Sequence, residues 1–233
     1  MRYFREQDDG ILGKAVGKMI YRSVRSRFRN VYWIPPKQPI LAPSILVPTH
    51  HGWFDGYLMY CAVKQLQLPC IDWIEEFDAF PLFAKIGGLP FPKNDPSKRI
   101  QTVRRSIEWM RKTDKNLILF AEGILHEAPQ VLALGKSLQT VAKSVPVKSI
   151  VPVAIVYKMG LHERPEAFLS FGDPIGTDQL NLERFRANLE ALARQTKERT
   201  LFDFSTLVLG TGDINERLGF NRNRQKTTGK TPK

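Results

Sequence analysis

Ser44-Ile45-Leu46-Val47-Pro48-Thr49-His50-His51-Gly52-Trp53-Phe54-Asp55-Gly56 is the stretch around which the rest of the chain falls into place. The run from Ser44 to Pro48 is apolar and has the length of a buried strand, and a mostly apolar segment follows from Tyr57 to Val63. The predicted order is strand, short turn, helix. In α/β proteins such a turn is exposed between two rigid elements, which makes it a place for chemistry. His50 and Asp55 are the residues in it that can move and steer a proton. An imidazole with an ordinary pKa near ~6.5 accepts a proton at neutral pH, and a carboxylate on its other nitrogen fixes the tautomer. Residues five apart lie roughly 140° from each other around a helix, so the two meet only if the chain turns between them. Gly52 is the residue best able to supply that turn.

The spacing alone decides little. With 4 His and 11 Asp in 233 residues, a His followed five positions on by Asp arises by chance roughly once in five such chains. The surrounding pattern carries more. Outward from the turn, strands are predicted near 44–48, 70–74, 89–92, 117–121, 149–157 and 168–172. Helices are predicted near 54–66, 80–86, 97–112, 132–144 and 182–200. Alternation of this kind predicts an α/β fold, a central mostly parallel or mixed sheet flanked by helices. The helix at 97–112 is the best specified, with Asp95 as cap, Pro96 in the first turn, and Ile100, Val103, Ile107 and Met110 as its apolar stripe.

Ahead of the sheet, residues 11–31 read as a basic amphipathic helix ended by Pro35 and Pro36. Ile11, Leu12, Ala15, Val16, Met19, Ile20, Val24, Phe28 and Val31 recur at helical spacing, with Lys14, Lys18, Arg22, Arg25 and Arg29 on another face. The expected organisation is a basic helical segment over 1–36, an α/β domain over 37–216 and a basic, disordered tail over 217–233, a stretch poor in apolar residues. The net charge of +12 sits almost wholly in the ends: +5 in residues 1–34, +6 in 217–233 and +1 in the 182 residues between. The body is electrically ordinary, and the ends are what would seek an anionic surface.

Hydrophobic residues make up 42% of the chain and charged ones 25%, which fits a soluble globular protein. No apolar run reaches the ~18 residues of a membrane span, and Met1 to Gly10 has no secretory pattern. Cys61 and Cys70 lack zinc-ligand spacing and read as reduced, packed thiols.

Three further blocks follow the His50–Asp55 turn in order. Gly87-Gly88-Leu89-Pro90-Phe91-Pro92-Lys93 is a glycine pair, an apolar strand and a cation. Leu119-Phe120-Ala121-Glu122-Gly123 is a buried strand that delivers a carboxylate and a glycine. Ile150-Val151-Pro152-Val153-Ala154-Ile155 is a continuous apolar strand. Over roughly residues 40–175 this order and spacing resembles the glycerolipid and lysophospholipid acyltransferase superfamily, the 1-acylglycerol-3-phosphate acyltransferases. Members commonly read Asn-His-x-Ser-Trp-x-Asp-Gly in the first block, and here His50, Trp53, Asp55 and Gly56 are in register.

The resemblance implies an O-acyltransferase that moves a fatty acyl group from acyl-CoA or an acyl-acyl carrier protein, as co-substrate and with no cofactor or metal, to a hydroxyl of a lipid acceptor. His50 is then the general base, Asp55 orients it, and Gly88, Phe91, Lys93, Glu122 and Gly123 fall at substrate-binding positions. His51, His126 and His162 read as bystanders. The reduced cysteines and the basic ends together lead to the expectation of a cytoplasmic protein in peripheral contact with the inner face of a membrane, held to anionic lipid through those ends.

The departures from the pattern bear on the acceptor. Thr49 stands where members often have Asn, Gly52 where they have Ser, and Lys93 where an Arg usually ends the second block. The third block continues Ile124-Leu125 where members read Thr-Arg. A lysine attracts phosphate as a point charge without the bidentate guanidinium geometry. The acceptor is thus either a lysophospholipid or a lipid or glycoside hydroxyl without a phosphomonoester. A lipid-binding protein of the same fold with lost or altered catalysis is the alternative. A metal-dependent hydrolase on His50, His51 and Asp55 lacks a second ligand cluster in the sequence, and a nucleic-acid binder lacks basic residues interleaved with stacking aromatics.

Overall fold

The computed structural model describes residues 10–218, and most of the basic tail expected over 217–233 lies outside them. The described residues begin with α1 (Ile11–Arg27), β1 (Asn30–Ile34), β2 (Ser44–Pro48), α2 (Asp55–Gln65) and β3 (Cys70–Ile74). Two 3-10 segments, Phe77–Ala79 and Pro81–Ile86, lead to β4 (Gly88–Pro90). Then come α3 (Pro96–Lys112), β5 (Asn116–Ile118), α4 (Lys136–Ser144), β6 (Ser149–Lys158), β7 (Glu166–Phe171), α5 (Leu182–Glu198), β8 (Ser205–Leu209) and α6 (Ile214–Arg217). The strands form one mixed sheet in the order β4-β3-β5-β2-β6-β7-β1-β8. Its left half, from β4 to β6, is parallel throughout, while β7 runs antiparallel to β6 and β8 antiparallel to β1.

Strand β2 sits in the middle and is buried along its whole length. Its side chains alternate between the two faces, as strand geometry demands. Leu46 joins Ile118 and Val153 under α1 and α2, packed against Val16, Ile20, Leu58 and Met59. Ile45 and Val47 join Leu117 and Ile150 under α3, α4 and α5, against Trp109, Leu138 and Phe185. Each such side chain taken fully from water contributes about 1.5–3 kcal/mol, so the two faces together fix the register of β2 firmly.

The sequence reading of the first helix is corrected here. It ends at Arg27, and Asn30–Ile34 is a strand with alternate residues buried. Phe28 and Val31 continue the helical stripe by spacing, but Val31-Tyr32-Trp33-Ile34 is a β-branched and aromatic run that fits the gap between β7 and β8. α1 buries Gly13, Val16, Gly17, Ile20 and Val24 in the core and leaves Ile11 and Leu12 exposed. The expected helix at 80–86 is 3-10, the one at 132–144 starts only at Lys136, and β8 had no counterpart in the reading. No helix among the described residues is long and apolar enough to cross a membrane.

Candidate active site

Strands β2, β5 and β6 run parallel side by side, so their C-terminal ends open on one edge of the sheet. Ligands of open α/β sheets bind at that edge. His50 follows β2, Glu122 follows β5, and Tyr157 is the second-last residue of β6. Thr49 ties the turn to β6: its N–H donates to Val153 O at 3.0 Å, and its buried hydroxyl accepts from Ile155 N–H at 2.9 Å. In this chain the residue before His50 is a structural fastener.

The turn brings His50 and Asp55 together. His50 Nδ1 lies 3.1 Å from Asp55 Oδ2, which also accepts the Gly52 N–H at 2.9 Å. The Asp55 Oδ1 accepts a hydrogen bond from the Tyr157 hydroxyl. Asp55 is fully buried, while the His50 side chain is 25% exposed. With the carboxylate accepting, Nδ1 carries the hydrogen and Nε2 is the nitrogen left for an incoming proton. The Phe120 ring lies 4.5 Å from the imidazole, centroid to centroid, and limits its rotation.

Glu122 holds the turn from the other side. One oxygen accepts the His50 N–H at 2.9 Å; the other accepts the Leu132 N–H at 2.7 Å and faces His126 Nε2 at 2.5 Å. Gly123 has φ +75°, a left-handed conformation that favours glycine, and it lets the chain turn away from Glu122. His126 was read as a bystander, yet it bonds to Glu122 and its N–H reaches His50 O at 3.3 Å. His51 packs its ring edge to face with His126 at 4.8 Å and reaches Gln130 O at 2.9 Å. His162 lies elsewhere, 2.8 Å from Asp213, whose carboxyl is held below the ordinary range by that hydrogen bond.

His51, Glu122 and His126 are, among the described residues, the group of possible metal ligands that come closest, with donor atoms within 4.8 Å of one another. Tetrahedral zinc with bonds near ~2.1 Å requires ligand atoms roughly 3.4 Å apart. Glu122 Oε2 and His126 Nε2 instead contact each other at 2.5 Å, closer than two ligands of one ion, while His51 Nε2 reaches Gln130 O and Glu122 Oε2 also accepts the Leu132 N–H. The cluster reads as internal bracing.

A cavity of about 420 Å³ opens beside His50. Trp53, Tyr57, Phe83, Ile118 and Gly88 line it, so its wall is largely apolar. Gly87 and Gly88 allow the close approach of the second block: a Cβ on Gly88 would lie 2.8 Å from Ile74 Cδ1, and Gly87 has φ +100°. Asp72, on β3, also lines the cavity, in register with Ile118 and Gly88, and a Cβ on Gly56 would lie 3.7 Å from its Oδ2. Its Oδ1 is enclosed and has no hydrogen-bond partner among the described residues. Burial pushes this carboxyl up to about 7, offset in part by the Trp73 N–H. The cysteine calls fit the core: Cys61 and Cys70 are buried free thiols, both pushed up by burial.

The remaining sequence-read positions divide. Gly88 lines the cavity; Phe91 does not, and stacks on Trp73 at 4.5 Å with Arg99 4.7 Å above its ring. Lys93 is exposed beyond β4 and is not among the cavity-lining residues. Tyr157 and Asp72 escaped the sequence reading because their partners are set by pairing of distant strands. Glu122 and His126, four residues apart, offered a local signal, but the loop that makes them meet has no regular period.

Residues 35–156 match the family described as Acyltransferase. No curated protein matches the chain. Among solved structures, the crystal structure of the 1-acyl-sn-glycerophosphate (LPA) acyltransferase PlsC from Thermotoga maritima is similar, with a TM-score of 0.55 and 20% sequence identity over 84% of this chain and 85% of that one. At that identity the likeness is one of fold: a mixed sheet flanked by helices, with the chain entering through a helix.

Proposed function

The chain belongs to the acyltransferase family, and from that premise we propose that it moves a fatty acyl group from an acyl thioester to a hydroxyl of a lipid acceptor, with His50 as the general base. The observation that carries this reading is the His50 Nδ1 to Asp55 Oδ2 contact of 3.1 Å, made by a histidine that lines an apolar cavity. Nε2 takes the acceptor's hydroxyl proton as the oxygen attacks the thioester carbon; the C–S bond then breaks and the thiolate leaves with a proton from the imidazolium. Such base catalysis contributes about 10²- to 10⁴-fold. Asp55 holds the tautomer and stabilises the imidazolium.

The turn has no nucleophilic hydroxyl or thiol at Gly52, so direct transfer is favoured over an acyl-enzyme. Within the turn, the amides of His50, Gly52 and Asp55 serve Glu122, Asp55 Oδ2 and Gly52 O. The amides at the start of α2, where the helix dipole is positive, are then the donors for the tetrahedral oxyanion. The cavity takes an acyl chain, from either CoA or a carrier protein. Gly88 shapes its wall, and Glu122 with Gly123 sets the position of His50. Phe91 supports β3 through Trp73, and Lys93 offers one positive charge to an anionic head group. Lys14, Lys18, Arg22 and Arg25 on α1 support peripheral contact with anionic lipid at the cytoplasmic face of a membrane, where each basic residue contributes about 1 kcal/mol.

The test is thioester consumption by wild type, His50→Ala and Asp55→Asn with acyl-CoA and acyl-carrier-protein donors and a mixed lipid extract, followed by mass spectrometry of the lipids. A new acylated lipid from wild type, absent with His50→Ala and strongly reduced with Asp55→Asn, is the expected result. Equal turnover by folded His50→Ala overturns the mechanism. Lipid binding without thioester consumption by any of the three replaces it with the altered-catalysis reading.

A further inference from the structure

We infer that Tyr157 is a positioning residue for the His50–Asp55 pair, and that residue 52 is glycine because the tyrosine ring occupies the space of its side chain. The inference rests on the reading of His50 as the base. Tyr157 is 102 residues from Asp55 in sequence, and its hydroxyl donates to Asp55 Oδ1. The other oxygen receives the Gly52 N–H and His50 Nδ1. A carboxylate turns easily about its last torsion, which is broad and twofold. One donor on Oδ1 and two on Oδ2 remove that freedom and leave Oδ2 facing the imidazole.

The ring is placed by packing against two neighbours. Phe28, at the end of α1, stacks on it at 5.9 Å and 20°. It also lies against Gly52, where a Cβ would come within 2.5 Å of Tyr157 Cζ and 2.6 Å of its hydroxyl oxygen. Those separations are shorter than any real contact, and both neighbours are held, so a larger residue at 52 expels the ring. Gly52 is not in the left-handed region, so the demand there is for space and not for backbone freedom. Burial, together with the Asp55 charge, drives the Tyr157 hydroxyl well above its ordinary range. The group keeps its proton and acts as a donor. Without it, the fully buried Oδ1 loses its donor and the carboxylate can rotate out of line with Nδ1.

Tyr157→Phe keeps the ring and removes only the donor. Its expected effect is a kcat about ten- to a hundredfold lower, the scale of one hydrogen bond to a charged group, with KM for the thioester changed less than about threefold. Nitrogen NMR of the His50 ring is the readout that a merely structural role would not move: a single Nδ1–H tautomer in wild type, a mixture of both in Tyr157→Phe. If that variant does not fold, Gly52→Ala displaces the ring without altering its chemistry and should give the same mixture.

The steric half of the inference is tested by coupling. Gly52→Ala should be costly in wild type and add little in a Tyr157→Val background. Wild-type kcat and an unchanged tautomer in Tyr157→Phe, alongside an inactive His50→Ala, overturn the inference and leave the base in place. An active His50→Ala instead removes the reading on which it rests.

Discussion

The His50–Asp55 turn and the β3 wall of the cavity both bury carboxylates, in opposite ways. At the turn, both oxygens of Asp55 and both oxygens of Glu122 face donors supplied by the protein. At the cavity wall, Asp72 shares its row of the sheet with Ile118 and Gly88, and its enclosed Oδ1 has no donor. A satisfied buried acid is fixed in direction, while an unsatisfied one retains its proton because the charged form has lost water without replacement. The difference separates an end of the sheet organised in advance from a wall whose polar group is left open to whatever fills the cavity.

The sharpest way to break the comparison is at its organised end. His50→Ala should lower acyl transfer on the order of 10³-fold with an unchanged melting temperature, read by thioester assay and thermal unfolding. A partly exposed histidine can leave without exposing much core. Glu122→Gln comes next: an amide in place of the carboxylate sets its NH₂ against a backbone donor, so stability should fall by about 1–3 kcal/mol in urea unfolding. Activity should fall with it, because the His50 amide loses its anchor.

Asp72→Asn probes the other end, and its sign is opposite. The folded carboxyl sits at about 7, while the unfolded one titrates near ~3.9. Between these values the unfolded chain has released a proton that the folded chain still holds, so stability falls as pH rises through that window. Asparagine has no such proton. The stability of Asp72→Asn relative to wild type should therefore grow from about pH 4 to about pH 7 and then level off, read from urea midpoints across pH. A flat difference would show that Asp72 finds a partner within the protein. Lys93→Ala should have the smallest effect, a KM for an anionic acceptor raised up to about fivefold with kcat unchanged, as suits one exposed charge. No change with an anionic acceptor would remove Lys93 from the site.

Much of the molecule was legible along the chain. Wherever one face of an element is buried, apolar periodicity reports it, and β2, α2, β3, α3, β6 and α5 lie close to where that periodicity put them. The exceptions share a cause. Val31 satisfies both a helical and an alternating pattern, and only the slot between β7 and β8 decides for the strand. The helices near 80–86 and 132–144 begin or wind otherwise than expected because their ends are set by the loops that frame the site. His50 and Asp55 could be paired from sequence because a five-residue turn is a local event.

Tyr157 and Asp72 had no such signal, and the four-residue spacing of Glu122 and His126 lies in a loop with no regular period to read. Tyr157 meets Asp55 only because Thr49 and five paired residues hold β6 beside β2, and Asp72 faces the cavity only because β3 pairs with β5 and β4. The sequence by itself determined most of the strands and helices, and it placed a histidine and a carboxylate in one turn, since both follow from residues within a few positions of each other. Only the tertiary structure decided which distant donors fix that carboxylate and which acid is left without one, because hydrogen bonds between strands depend on register, and register is set by burial across the whole sheet.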